Sequence, residues 1–82
     1  MIRVFVNPDP VEQKQAEDWF RTQGINAELM TIASMHKPGL IYRVTNSTDD
    51  YVWPTIRMML DDDDPKRRPT WFVGAHRDDK FP

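Results

Sequence analysis

The sequence predicts a small α/β domain, built from an N-terminal strand–helix–strand unit, a second helix and a C-terminal β segment. Three observations carry that reading. Residues 2–29 run IRVFVNPDPVEQKQAEDWFRTQGINAEL: an apolar strand, a proline-punctuated turn, a capped helix, a glycine stop and a second strand. Val52, Trp53, Ile56, Met59 and Leu60 recur at helical spacing. Pro69 to Gly74, an aromatic and β-branched run, reads as the third strand of the sheet. The chain of 82 residues has room for one domain, residues 1–82, whose core is marginal by surface-to-volume scaling.

Ile2, Val4 and Val6 alternate with Arg3 and Phe5, which suits a buried or half-buried strand. Asn7-Pro8 ends it. Asp9 fits a helix N-cap, because its carboxylate can accept from the orphan N–H groups of the first turn. Pro10 fits the first helical position, where a missing N–H costs nothing. Glu12 falls three residues after Asp9, the spacing of a capping box. Ala16, Trp19 and Phe20 make the apolar stripe of a helix over 10–23. Gly24 supplies a left-handed stop, with Ile25 as the apolar residue after it.

Ala27 to Ile32 reads as the second strand, and a crossover this short implies that it runs parallel to the first. Residues 33–39 are turn formers and polar groups. Gly39 to Val44 has strand character but is short enough to be an extended connection. Asn46-Ser47-Thr48-Asp49-Asp50 is a cluster of capping residues from which the second helix starts. Pro54 is admissible only in its first turn. The acids Asp61 to Asp64 are unfavourable at a helix C-terminus and Pro65 follows, so the helix stops by about Asp62.

Composition narrows the function. With 13 acidic and 11 basic residues the formal net charge is −2, which gives no general pull toward nucleic acid or anionic membrane, so neither a membrane nor direct nucleic-acid binding is expected. No apolar run approaches the roughly 20 residues of a membrane span. The N-terminus leads straight into a strand, so no signal peptide is expected and the cytoplasm is the default location. Three Trp, two Tyr and four Phe help a small core bury enough area. The absence of cysteine excludes a disulfide framework.

The turn after the first strand, with Pro8 and with Val11 two residues before Gln13, resembles the thioredoxin superfamily, most closely the small glutaredoxin-like NrdH proteins. In those a Cys-Val-Gln-Cys motif follows the same proline, so the two cysteine positions correspond here to Pro10 and Gln13. Gln23-Gly24-Ile25 also matches the usual close of that helix. Pro69 stands where such proteins carry the cis-proline facing the active-site turn, and residues 73–82 resemble their β-hairpin tail. Arg67-Arg68-Pro69 resembles the arsenate-reductase and Spx branch, in which an arginine precedes that proline. The resemblance implies a thioredoxin-like fold: a mixed four-stranded sheet ordered 2-1-3-4 along the chain, with two helices packed on it. It covers about two-thirds of the chain, residues 33–66 matching neither branch. Dithiol chemistry needs a thiolate at the helix N-terminus, and this chain has none.

The candidate site implied by the resemblance is therefore a binding groove without catalytic residues: Pro10, Val11, Glu12 and Gln13 on one side, Arg67, Arg68, Pro69 and Thr70 on the other. It reads either as a retained peptide-binding surface or as a relic whose turn survives because it caps a helix. Lys66, Arg67 and Arg68 could hold a glutathione carboxylate or a phosphate, or could simply balance Asp61–Asp64. Those four adjacent acids lack the alternation and glycine of a calcium loop. His36 and His76 stand forty residues apart in the chain, so no metal site and no cofactor are expected. The leading expectation is a redox-inactive, glutaredoxin-like module that binds a protein partner, as a bacterial or phage regulator or inhibitor would. An Spx-like regulator docking on RNA polymerase and a glutathione- or anion-binding protein are the alternatives.

Overall fold

The computed structural model describes residues 1–30, 39–62, 64 and 67–78. Among these residues six elements follow one another: β1 (Ile2–Val6), α1 (Pro10–Thr22), β2 (Ala27–Leu29), β3 (Leu40–Val44), α2 (Val52–Asp61) and β4 (Phe72–Arg77).

α1 begins and ends for local reasons. The Asp9 carboxylate accepts from the N–H groups of Val11 at 2.8 Å and Glu12 at 3.1 Å, and Pro10 occupies the first helical position. The Asp9 N–H donates to the Asn7 carbonyl at 2.8 Å, so it is not left for Glu12 to satisfy and the capping-box spacing closes no reciprocal bond. At the far end the Gly24 N–H donates to the Arg21 carbonyl at 3.2 Å and the Ile25 N–H to the Phe20 carbonyl at 2.8 Å. These are the two bonds of a Schellman close, with Gly24 at φ +70° and Ile25 buried.

The sheet runs β2-β3-β1-β4, with every neighbouring pair antiparallel. Combined with the element order, this is the split β-α-β, ferredoxin-like arrangement. β1 and β2 point the same way, but β3 lies between them instead of the two pairing in a mixed sheet. Segment content explains the difference from the 2-1-3-4 order. β2 has only three residues, none buried, which suits an edge. β3 supplies buried Tyr42 and Val44 and takes the inner place. The segment that could have been a mere connection is therefore central to the sheet.

The C-terminal β segment also differs. Pro69, Thr70 and Trp71 form a turn closed by the Phe72 N–H donating to the Pro69 carbonyl at 3.1 Å. β4 starts after it and runs unbroken to Arg77, through residues that resembled the first half of a hairpin. Residues 79–82 and the expected strand end at 31–32 lie outside the described residues. Among the described residues no peptide bond is cis, so Pro69 is trans. Between Phe5 and Val6 the β1–β4 register shifts, leaving Val73 as the extra residue of a bulge. That shift turns Phe72 inward although Ala75 and Arg77 also face the helices.

Both helices cover one face of the sheet. Ile2, Val4 and Val6 are buried with Ala16 and Phe20 of α1, Val52, Ile56 and Met59 of α2, and Trp71. Phe20 touches both Tyr42 and Trp71, with ring centroids 5.4 and 5.8 Å away. α2 starts after the turns of residues 45–51, carries Pro54 in its first turn and stops at Asp61, where sequence places it. Asp61 is paired with Arg57 one turn back at 3.0 Å.

The two helices are tied together at the Gly24 carbonyl, which accepts from Tyr51 Oη at 2.7 Å and from Asn46 Nδ2 at 3.0 Å. Asn46 in turn accepts from the Asn26 N–H at 2.9 Å. A Cβ at position 24 would sit in left-handed backbone and 3.3 Å from the Tyr51 hydroxyl. Gly24→Ala is expected to lower unfolding stability by about 1–2 kcal/mol, measured by urea denaturation. An unchanged midpoint would show that this junction is not what orients the helices.

Candidate functional site

Strand parity separates two chemistries. On β1 the even residues face the helices, so Arg3 and Phe5 face the other side. On β3 the same parity sends Ile41 and Arg43 outward, and on β4 it sends Gly74 and His76. Registration then assembles rows that no single strand reveals. Arg43 of β3 lies opposite Arg3 of β1, and Arg3 lies opposite His76 of β4. One step along, Ile41 lies opposite Phe5, and Phe5 opposite Gly74. A Cβ on Gly74 would meet the Phe5 ring at 3.7 Å, so the missing side chain makes room for that ring.

The electrostatics of the first row are unbalanced. Arg43 pairs with Glu28 of β2 at 3.0 Å, but both side chains are about half exposed and such a pair contributes little. Among the described residues neither the Arg3 guanidinium nor the His76 ring makes a hydrogen bond or ion pair, and both are exposed. Like charges directly opposite on neighbouring strands are destabilising, and Arg3 against Arg43 is such a pair. A hollow of about 270 Å³ opens at the end of the row, bordered by Met1, Arg3, His76 and Asp78. This face offers exposed guanidinium groups and an imidazole beside an apolar floor, an arrangement that can hold anions.

The groove suggested by the resemblance is brought together only in part. Asn7 joins its sides, donating from Nδ2 to the Thr70 carbonyl at 2.7 Å and from its N–H to the Trp71 carbonyl at 3.0 Å. Pro10, Val11 and Thr70 are exposed, Val11 by 67%. Arg68 turns away and donates to the Leu60 carbonyl at 3.0 Å, placing its charge at the C-terminus of α2. Its Nε is buried without a hydrogen-bond partner. Arg67 stands 3.8 Å from Asp64. Lys66 and His36 lie outside the described residues. Trp71 is buried and Trp53 half-buried under the Arg77 guanidinium, so neither is an exposed anchor.

Glu12 and Gln13 occupy the first turn of α1. Gln13 also neighbours the phenol of Tyr42, which donates to Glu17 Oε2 at 2.6 Å. Burial, and then the Glu17 carboxylate, push the Tyr42 phenol up from 10.0 to about 12. It therefore stays a protonated donor, as a buried phenol anchored to a carboxylate should.

Among the described residues no group of three His, Asp or Glu is placed to hold a metal ion, and no helix is long and apolar enough to cross a membrane. No family model, curated protein or solved structure matches the chain.

The Arg3–Arg43–His76 row was not singled out from sequence. Its partial signal is the alternation in β1, which sets Arg3 and Phe5 on the side opposite the core residues. Pairing with Arg43 and His76 depends on the register of strands far apart in the chain.

Two expectations follow. Arg68→Ala should lower stability by about 1 kcal/mol, while Arg67→Ala should change it by less than about 0.5 kcal/mol; equal effects in urea unfolding would contradict the capping role. For Tyr42 the folded pKa is raised, so its contribution is complete below about pH 10 and is lost as pH rises toward about 12. Wild type should lose more stability across that window than Tyr42→Phe, and parallel curves would refute the assignment.

Proposed function

We propose that the protein is a non-catalytic binding module whose working surface is the face of its sheet turned away from α1 and α2, and that its partner is anionic. The observation that carries this reading is the cross-strand row of Arg43, Arg3 and His76, in which Arg3 and His76 have no partner among the described residues. An exposed like-charge pair on a sheet is a cost in the free protein, and a bound anion removes it. The lack of cysteine excludes dithiol chemistry, so redox inactivity is part of the same reading. Of the residues on which the glutathione- or anion-binding and RNA-polymerase alternatives rest (Lys66, Arg67, Arg68 and Pro69), Arg68 has its guanidinium engaged with the Leu60 carbonyl of α2.

A second reading keeps the α1 turn as a protein-binding surface, as the glutaredoxin-like resemblance implies. Exposed Val11 and the Asn7 link to Thr70 favour it.

Chromatography on an immobilised polyanion separates the two. Wild type, despite its net charge of −2, should elute at higher salt than Arg3→Glu/Arg43→Glu, while Val11→Asp and Arg67→Glu elute with wild type. If the double variant elutes with wild type, the sheet face is not the working surface.

A further inference from the structure

We infer that the free edge of β2 takes an extended segment of a partner protein as an added antiparallel strand, in which an apolar, a basic and an apolar residue follow one another. This does not depend on the sheet face holding an anion. The Met30 N–H donates to the Ile41 carbonyl at 2.9 Å, and the Thr45 N–H to the Asn26 carbonyl at 2.7 Å. By the alternation of an antiparallel pair, Asn26, Glu28 and Met30 turn their peptide groups toward β3, and Ala27 and Leu29 turn theirs away. β2 is an edge among the described residues, so the latter groups have no strand beside them. They offer a donor and an acceptor at each of two positions, which an added strand satisfies.

The side chains at those positions open onto a groove. Ala27 and Leu29 lie opposite buried Val44 and Tyr42 and so share the helical side of the sheet. Between them and α1 is a hollow of about 450 Å³, bordered also by Phe20, Ile25 and Tyr42. Leu29 is left 43% exposed there. Residues of an added strand set opposite Ala27 and Leu29 point into this hollow and cover its apolar surface. The middle position selects charge. Glu28 stands on the outer face, its side chain 63% exposed even with Arg43 at 3.0 Å. The residue opposite it belongs to the closer, non-hydrogen-bonded kind of pair, where a basic side chain is favoured and an acidic one opposed. A second copy of β2 paired about Glu28 sets two carboxylates against each other, which disfavours the chain itself as occupant.

The opposite edge is protected. β4 has the bulge at Val73, and Arg77 turns inward over Trp53; both features discourage strand addition. β2 has neither a bulge, a proline nor an inward charge. Its shortness limits an added strand to two pairing positions, so specificity rests on the hollow and on Glu28.

The test uses the full chain and a blocked peptide, threonine–valine–lysine–valine–threonine, followed by backbone amide shifts and hydrogen exchange. The Ala27 and Leu29 amides should shift most and exchange at least about fivefold more slowly at saturation. A peptide with glutamate in place of lysine should bind about threefold more weakly, and Glu28→Lys should reverse that order. Ala27→Pro removes one outward donor and no bond to β3. It should weaken binding about fivefold, with the fold of each variant checked by circular dichroism. No binding of the lysine peptide, shifts centred elsewhere, or an unchanged peptide order in Glu28→Lys would overturn the inference. So would a dimer in sedimentation whose formation protects the same two amides without peptide, because a second copy would then hold the edge.

Discussion

Phe20 is the contact on which the rest of the structure depends. From the last turns of α1 it meets Tyr42 of β3, Trp71 of the turn before β4, and Trp19 beside it, with centroids between 5.4 and 5.8 Å. One ring thus joins the first helix to an inner strand and to the approach to an edge strand. In a domain this small, aromatic pairs of that kind replace the depth of a larger core. Among the described residues no charged or strongly polar residue is buried; the Tyr42 hydroxyl donates to Glu17, and the Arg68 Nε is a buried side-chain atom without a hydrogen-bond partner.

Packing both helices on one side has a consequence for function. Each strand alternates, so whatever the core does not take must stand on the far side. Ile2, Val4, Val6, Tyr42 and Val44 fill the inner face, and Arg3, Phe5, Ile41, Arg43 and His76 are the complement. The bulge at Val73 changes this parity at one point only, turning Phe72 toward Trp71 and the core. The candidate site is the reverse side of the folding pattern, and the residues that make it need no special loop to position them.

Legibility followed the range of the interactions involved. The limits of α1 depend on Asp9, Pro10 and Gly24, each acting within a few residues, and they could be read directly. The start and stop of α2 were legible for the same reason. The sheet was not. Leu40 to Val44 carries the same ambiguous, short apolar pattern whether it is a connection or a strand; its place between β1 and β2 is decided by Tyr42 and Val44 having a helix to pack against. The partner of Arg68 was not legible, because the Leu60 carbonyl belongs to an element that ends several residues earlier.

The sequence by itself determined the class, the two helices, the N-terminal strand and its two faces, and the exclusion of thiol chemistry. These rest on local capping, on periodicity and on composition, which act without reference to the rest of the chain. Tertiary structure alone decided the strand order, the trans turn at Pro69, the diversion of Arg68, and the row that sets Arg3 between Arg43 and His76. Those depend on which strands exchange hydrogen bonds and in which register, and the apolar faces of β1, β3 and β4 settle that only when they bury together against Phe20, Ile56 and Trp71.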